Sequence, residues 1–136
     1  MLANIHVKNM ALIKEADISL GKGLNILSGE TGAGKSILLG SIAVALGLQN
    51  FKGFAREDAD YALSELVFVI ENEEQRQALL ELEIPVEDGE VIISRRLSKG
   101  RTTSKINGET VPVSMVRKAG TLLIDHDPSR TAIITA

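Results

Sequence analysis

An α/β fold, with a mixed sheet wrapped around one buried helix and an antiparallel β portion on one side, is predicted by three observations. Short segments of strand length alternate or run apolar along most of the chain. Residues 35–46 form a helical stretch with apolar side chains on nearly every side, namely Ile37, Leu38, Leu39, Ile42, Val44 and Leu46, and such a helix is normally buried between layers. Aromatics are 3% of the 136 residues while 44% are hydrophobic, so the core must come from Ile, Leu, Val and Ala, the material of layered sheet-and-helix domains.

The elements follow in order. Residues 2–7 alternate, with Ala3, Ile5 and Val7 opposed to Leu2, Asn4 and His6, and read as a first strand punctuated by Asn9. Residues 11–20, with Ile13, Ile18 and Leu20, read as a second strand, and Gly21-Lys22-Gly23 as a tight turn. Residues 24–27 are a short apolar strand, and residues 28–34 a loop of glycine and small side chains. The helix at 35–46 stops at Gly47. Residues 49–60 are polar and irregular. Residues 61–70 form a strong strand, and residues 73–82 a short acidic helix with a solvated face. A strand at 91–96, a turn at Lys99-Gly100 and a returning strand at 102–106 lead to the hairpin signal Asn107-Gly108. A short helix at 113–118 and a final apolar strand at 121–124 complete the pattern. The domain is therefore expected to span residues 1–125, with residues 126–136 as a tail of no readable period.

A net charge of −3 excludes a chain that is basic all over, so any nucleic-acid contact must use a local patch. The absence of cysteine excludes a disulfide framework and a cysteine metal site. No long apolar core marks a signal peptide, and the longest apolar runs fall far short of a membrane span. A soluble, cytoplasmic protein is expected.

The chemistry is concentrated in Gly29-Glu30-Thr31-Gly32-Ala33-Gly34-Lys35-Ser36, which fits the phosphate-binding pattern G-x-x-x-x-G-K-[ST] of P-loop NTPases. Gly29 and Gly34 let the backbone approach the phosphates, and successive N–H groups then cradle the anionic oxygens. The positive end of the following helix adds to the cradle. Lys35 is placed to reach the β- and γ-phosphates of ATP, and Ser36 to ligate Mg²⁺. The motif follows a predicted strand and opens a predicted helix, as this mechanism requires.

Gly23-Leu24-Asn25-Ile26-Leu27-Ser28 with this loop resembles the start of an ABC-type ATPase head of the SMC class, and more closely the bacterial RecN family of DNA-repair ATPases. Residues 5–13 (Ile5-His6-Val7-Lys8-Asn9-Met10-Ala11-Leu12-Ile13) resemble that family's "KNFALI" segment, Glu30-Thr31-Gly32-Ala33 its loop interior, and Arg95-Arg96 with Ile106-Asn107-Gly108 and Val111 its "RR…INGxxV" hairpin. The resemblance implies an ABC/SMC-type head lobe, two heads sandwiching ATP as a homodimer, and an assembly that holds double-stranded DNA ends during break repair. It also places Arg56 near the nucleotide and the DNA-facing surface. The chain departs from the pattern at Gly40, where the family has an acid, and at Met10, where it has Phe. A glutamine-bearing segment is replaced by His126-Asp127-Pro128-Ser129-Arg130. No strand ending in Asp-Glu and no signature motif is found, so no catalytic residue is assigned. The expected unit is the N-terminal lobe of a larger ATPase that binds nucleotide and turns it over slowly or not at all. The alternatives are a nucleotide-gated dimerisation module without turnover and a P-loop NTPase of another family.

Arg95, Arg96, Lys99, Arg101 and Lys105 form a basic run free of acids, a candidate contact to the DNA backbone. Alternate strand residues share a face, so Arg96 and Lys105 are expected to point one way and Arg95 the other. His6 is read as a strand-face residue and Asp125-His126-Asp127 as a polar strand end rather than a metal site.

Overall fold

The computed structural model describes residues 1–20 and 32–125, with the backbone alone for residues 32–36. Its strands are β1 (Leu2–Met10), β2 (Ile13–Ser19), β3 (Tyr61–Val69), β4 (Glu90–Ser98), β5 (Arg101–Ile106) and β6 (Glu109–Val111), and its helices α1 (Gly32–Ala45), α2 (Glu73–Glu81) and α3 (Val113–Asp125). The strands form one six-stranded sheet in the order β2-β1-β3-β4-β5-β6. Every pairing among the described residues is antiparallel, where a mixed sheet was expected. Short links account for three of the five pairings: β1–β2, β4–β5 and β5–β6 are joined by two-residue turns, which allow only antiparallel neighbours. The turn expected at 21–23, the strand at 24–27 and the loop residues 28–31 lie outside the described residues, as does the tail from residue 126.

The turns explain themselves from their residues. Asn107 and Gly108 have φ of 49° and 85°, the positive pair that a hairpin turn matched to strand twist demands. Asn107 adds side-chain bonds, accepting from the Ile92 amide at 2.7 Å and donating to the Pro85 carbonyl at 2.8 Å. At the other end of the sheet, Asn9 and Ala11 also take positive φ. Their backbone turns outward to hold the following loop: Arg56 N donates to Asn9 O at 2.9 Å, and Ala11 N to Phe54 O. The Asn9 side chain donates to Tyr61 O at 2.8 Å, fixing where β3 begins.

One face of the sheet is the core. Ile5, Val7, Met10, Ala62, Leu66, Phe68, Val91, Ile93 and Ile106 are buried there. Helix α1 lies across it, touching β1, β3 and β4. From Ile37 to Gly47 no residue of this stretch is exposed, so its all-round apolar character is matched by burial. A polar pin fixes its position: Ser64 on β3 donates at 2.6 Å to the carbonyl of Ser41, and both residues are fully buried. A buried bond of this kind cannot be exchanged for water without loss, so it selects one register of helix on sheet. Helix α2 is capped by Asn72, which accepts from Gln75 N at 2.7 Å, and carries Glu73 and Glu74 in its first turn, where the dipole favours acids.

The C-terminal segment departs from expectation. Residues 121–124 are not a strand but the second half of α3, continuous with the expected short helix. The run Leu122-Leu123-Ile124 reads as a strand only in isolation. Val116, Ala119 and Leu123 are all fully buried, and their spacing is that of one helical face. Gly120 lets that face approach α1, since a Cβ there would stand 3.1 Å from Leu46 Cδ2.

Gly40, unfavourable in a helix by its propensity, has a packing cause. A Cβ at this position would lie 2.2 Å from Cε1 of Phe54, whose ring rests directly on the helix backbone. Gly40→Ala is therefore expected to lower stability by about 1–3 kcal/mol through overpacking, although propensity alone favours Ala by roughly 1 kcal/mol. Urea unfolding of the two proteins checks this, and a stabilised variant would show that Phe54 swings aside at little cost.

Candidate functional site

The phosphate-loop residues divide between what is described and what is not. Gly29, Glu30 and Thr31 lie outside the described residues, whereas Gly32, Ala33, Gly34, Lys35 and Ser36 form the first turn of α1. The helix thus begins earlier than its apolar pattern indicated. The first four N–H groups of a helix have no partner within it and carry its positive partial charge. Helix α1 has no acidic residue in its first turn to neutralise them. That end suits the oxygens of a phosphate chain, with Mg²⁺ held against the same oxygens, and the residue types Lys35 and Ser36 sit in the turn where a cation for phosphate and a hydroxyl for magnesium are needed.

The opposite end of α1 has the reverse polarity and no basic residue of its own in the last turn. Two arginines from elsewhere supply the charge. Arg95 on β4 points inward, is only 7% exposed, and donates through Nη1 to Val44 O at 2.8 Å and Gln49 O at 3.0 Å. Its Nε donates to Ser104 Oγ at 3.2 Å, and its guanidinium lies 6.0 Å from the Phe51 ring centre. Arg117 on α3 donates through Nε to Gly47 O at 2.8 Å. Burial, and secondarily the charge of Arg117, pull the Arg95 pKa below the ordinary guanidinium value.

This overturns the place of Arg95 in the basic run. It is a buried inner-face residue bonded to carbonyls, unavailable to DNA. The other four do not form one patch either. Arg96 and Lys105 share the outer sheet face, lining a groove of about 620 Å³ whose far rim is acidic with Glu87, Asp88 and Glu90. Arg96 stacks 4.2 Å from the Tyr61 ring centre. Lys99 lies instead at the β4–β5 turn, where it lines a cavity of about 670 Å³ with Phe51, Lys52, Arg56 and Leu97. Arg101 is exposed at the start of β5. The split follows from the twofold period of strands, which sends neighbours to opposite faces.

Arg56 lines that same cavity, half-buried, with Nε and Nη2 each 3.3 Å from the carboxylate of Asp58. The guanidinium holds the Asp58 carboxyl below its usual range. His6 lies on the outer sheet face as a strand residue, its Nε2 3.2 Å from Glu15 Oε2, and Lys8 Nζ is 3.6 Å from the same oxygen. No cluster of three metal-ligating side chains occurs among the described residues, and no helix there is long and apolar enough to cross a membrane. Sequence reasoning missed Arg117 and the Phe54–Gly40 contact. Neither leaves a local signal, since each depends on a partner far along the chain.

Among the described residues, an antiparallel sheet packs over one buried helix whose first turn carries the last five residues of the glycine-rich motif, an α/β arrangement. The chain belongs to the AAA domain family, whose model matches residues 4–125. It is 35% identical over 127 residues to the DNA repair protein RecN of Bacillus subtilis (strain 168), covering 92% of this chain and 22% of that protein. It is 34% identical to RecN of Vibrio cholerae, covering 92% of this chain and 23% of the relative. The chain thus spans less than a quarter of the length of these relatives. Among solved structures it is similar to one from work on ATP-driven dimerisation and DNA-stimulated activation of SMC ATPases, with a TM-score of 0.67, 21% identity, and coverage of 99% of this chain and 91% of that one. It is also similar to the Smc head domain of Pyrococcus furiosus, with a TM-score of 0.62, 20% identity, and coverage of 90% and 33%. The last two likenesses concern the fold alone.

The outer-face charges yield a pH prediction. The contact with His6, and then the charge of Lys8, lower the Glu15 pKa from its ordinary 4.5. A depressed carboxylate stabilises the fold above its ordinary pKa and loses that contribution as pH falls through the lowered value. The melting temperature of wild type is expected to exceed that of Glu15→Gln slightly at neutral pH, with the gap closing below about pH 4.5. A gap that is constant down to pH 3 refutes the interaction.

Proposed function

We propose that this chain is the ATP-binding half-head of a RecN-like ATPase acting in recombinational DNA double-strand-break repair, with residues 1–125 as the head lobe and 126–136 as a tail. The observation that carries the reading is the Gly29–Ser36 motif, whose residues from Gly32 begin a helix that has no exposed residue from Ile37 onward and no acid in its first turn. ATP binds with its phosphates on that helix end, Lys35 neutralising the β- and γ-phosphates and Ser36 ligating Mg²⁺. Two such heads close on ATP as a homodimer, and the larger assembly holds double-stranded DNA in the cytoplasm. Similarity to RecN and to SMC heads supports this reading.

Binding, rather than turnover, is the activity assigned to this chain. Hydrolysis needs metal, an oriented water and charge stabilisation together. The sequence supplies the cradle and one metal ligand, but no Asp-Glu strand and no signature motif. The chain therefore works as a nucleotide-gated module until the remaining parts are brought to it. Equal ATP turnover by this chain and by a longer protein containing it would refute that division.

Lys35→Ala is expected to weaken Mg²⁺–ATP binding at least about tenfold, as the loss of a charge-assisted contact implies. Calorimetric titration measures this, and unchanged affinity would remove the phosphate-loop assignment. Joint replacement of Arg96 and Lys105 by Gln in the longer protein is expected to weaken DNA binding and to lower the salt slope by roughly one to two. Arg95 is left out because it is buried. An unchanged slope would leave that outer-face pair as solvated charge.

A further inference from the structure

We propose that Arg95 and Arg117 are positioning residues for the nucleotide site, two guanidinium groups that grip the C-terminal end of α1 and thereby set where its phosphate-binding end stands. The proposal rests on the phosphate-loop reading above and concerns residues outside the loop.

The turn at Gly47 closes the end of α1, with Gly47 N donating to Val44 O at 3.1 Å and Leu48 N to Ala43 O at 2.9 Å, but no base in the last turn meets the negative partial charge there. The two arginines meet that charge from different directions. Arg95 reaches Val44 O and Gln49 O from β4, bracketing the end of the helix and the loop that leaves it. Arg117 reaches Gly47 O, between those two points, from α3. Neither guanidinium has a carboxylate partner among the described residues. A buried arginine is normally retained with an acid, because an unpaired buried charge is costly. Here the compensation for Arg95 is the helix end itself, together with Ser104 Oγ and the Phe51 ring. The contact with Gly47 is reinforced by packing, since Gly120 of α3 sits against Leu46.

A helix transmits displacement along its axis. The 14 residues of α1 form one short rod, and a shift or tilt at its C-terminal end moves the N–H donors at the other. Those donors act only when placed to within a fraction of an ångström of the phosphate oxygens. The same arginines tie α1 to β4 and α3, so occupancy of the phosphate end is felt by both. A purely structural role predicts something different: lower stability with unchanged affinity in the molecules that remain folded.

The test uses the 136-residue chain, with Mg²⁺–ATPγS titrated by calorimetry and thermal unfolding followed without nucleotide. Arg95→Lys keeps the charge but lacks the separate Nε donor to Ser104 Oγ and the planar group that fixes Nη1 between the two carbonyls. Arg117→Gln alters a residue at the surface and preserves folding if Arg95→Lys does not. Each variant is expected to raise Kd by about fivefold or more, the lower range of coupling between distant sites. Arg117→Lys, which returns a cation to the helix end, is expected to recover most of the affinity lost in Arg117→Gln. A Kd within about twofold of wild type in a folded variant, alongside a lowered melting temperature, would overturn the proposal and leave a structural tie. Absence of binding by the wild-type chain would instead refute the phosphate-loop reading, and this inference with it.

Discussion

A helix that is apolar on nearly every side has no stable place at a surface, and α1 is such a helix. Its burial is the constraint from which the rest of the architecture follows. The six-stranded sheet supplies one wall, with β1, β3 and β4 against it, and the loop between α1 and β3 supplies another through Phe54. The peptide dipoles of α1 sum to opposite partial charges at its two ends. One end carries Gly32–Ser36 of the glycine-rich motif. The other is met by Arg95 and Arg117, from strand and helix on either side.

Fixing the helix in this way also fixes its neighbours. Ser64 selects the register of helix on sheet through the Ser41 carbonyl. Asn9 and Ala11 adopt left-handed backbone so that β1 can hold the loop carrying Phe54 and Arg56. The position of Arg56 is thus set by β1, and its charge is shared with Asp58 before any ligand arrives. Polar and charged side chains of the outer sheet face, by contrast, interact mainly with one another and with solvent, as His6, Lys8 and Glu15 do. The inner face holds α1, while the outer face carries the charged side chains.

Much of the fold was legible because its signals are local. Alternation in residues 2–7, the Asn107-Gly108 turn and the acidic helix at 73–82 each depend on chemistry within a few residues. The misreadings share a different cause. Residues 121–124 were read as a strand because three consecutive apolar residues carry no period, whereas the helical face joins Leu123 to Val116 and Ala119. Arg95 was grouped with Arg96 because both are basic and adjacent, yet strand geometry sends one inward and one outward. Gly40 read as a weakness in the helix, and its reason is a ring fourteen residues away.

The sequence by itself determined the phosphate motif, the helix that must be buried and the strands around it, because motif chemistry and hydrophobic period are properties of neighbouring residues. Only the tertiary structure decided that the sheet is antiparallel across the described strands, that Gly40 is a seat for Phe54, and that Arg95 and Arg117 converge on the end of α1. Those outcomes depend on groups distant in the chain being brought within bonding distance. The pairing of a buried cation with a helix end has no sequence spacing by which it could be read. It exists only when β4 and α3 close over α1.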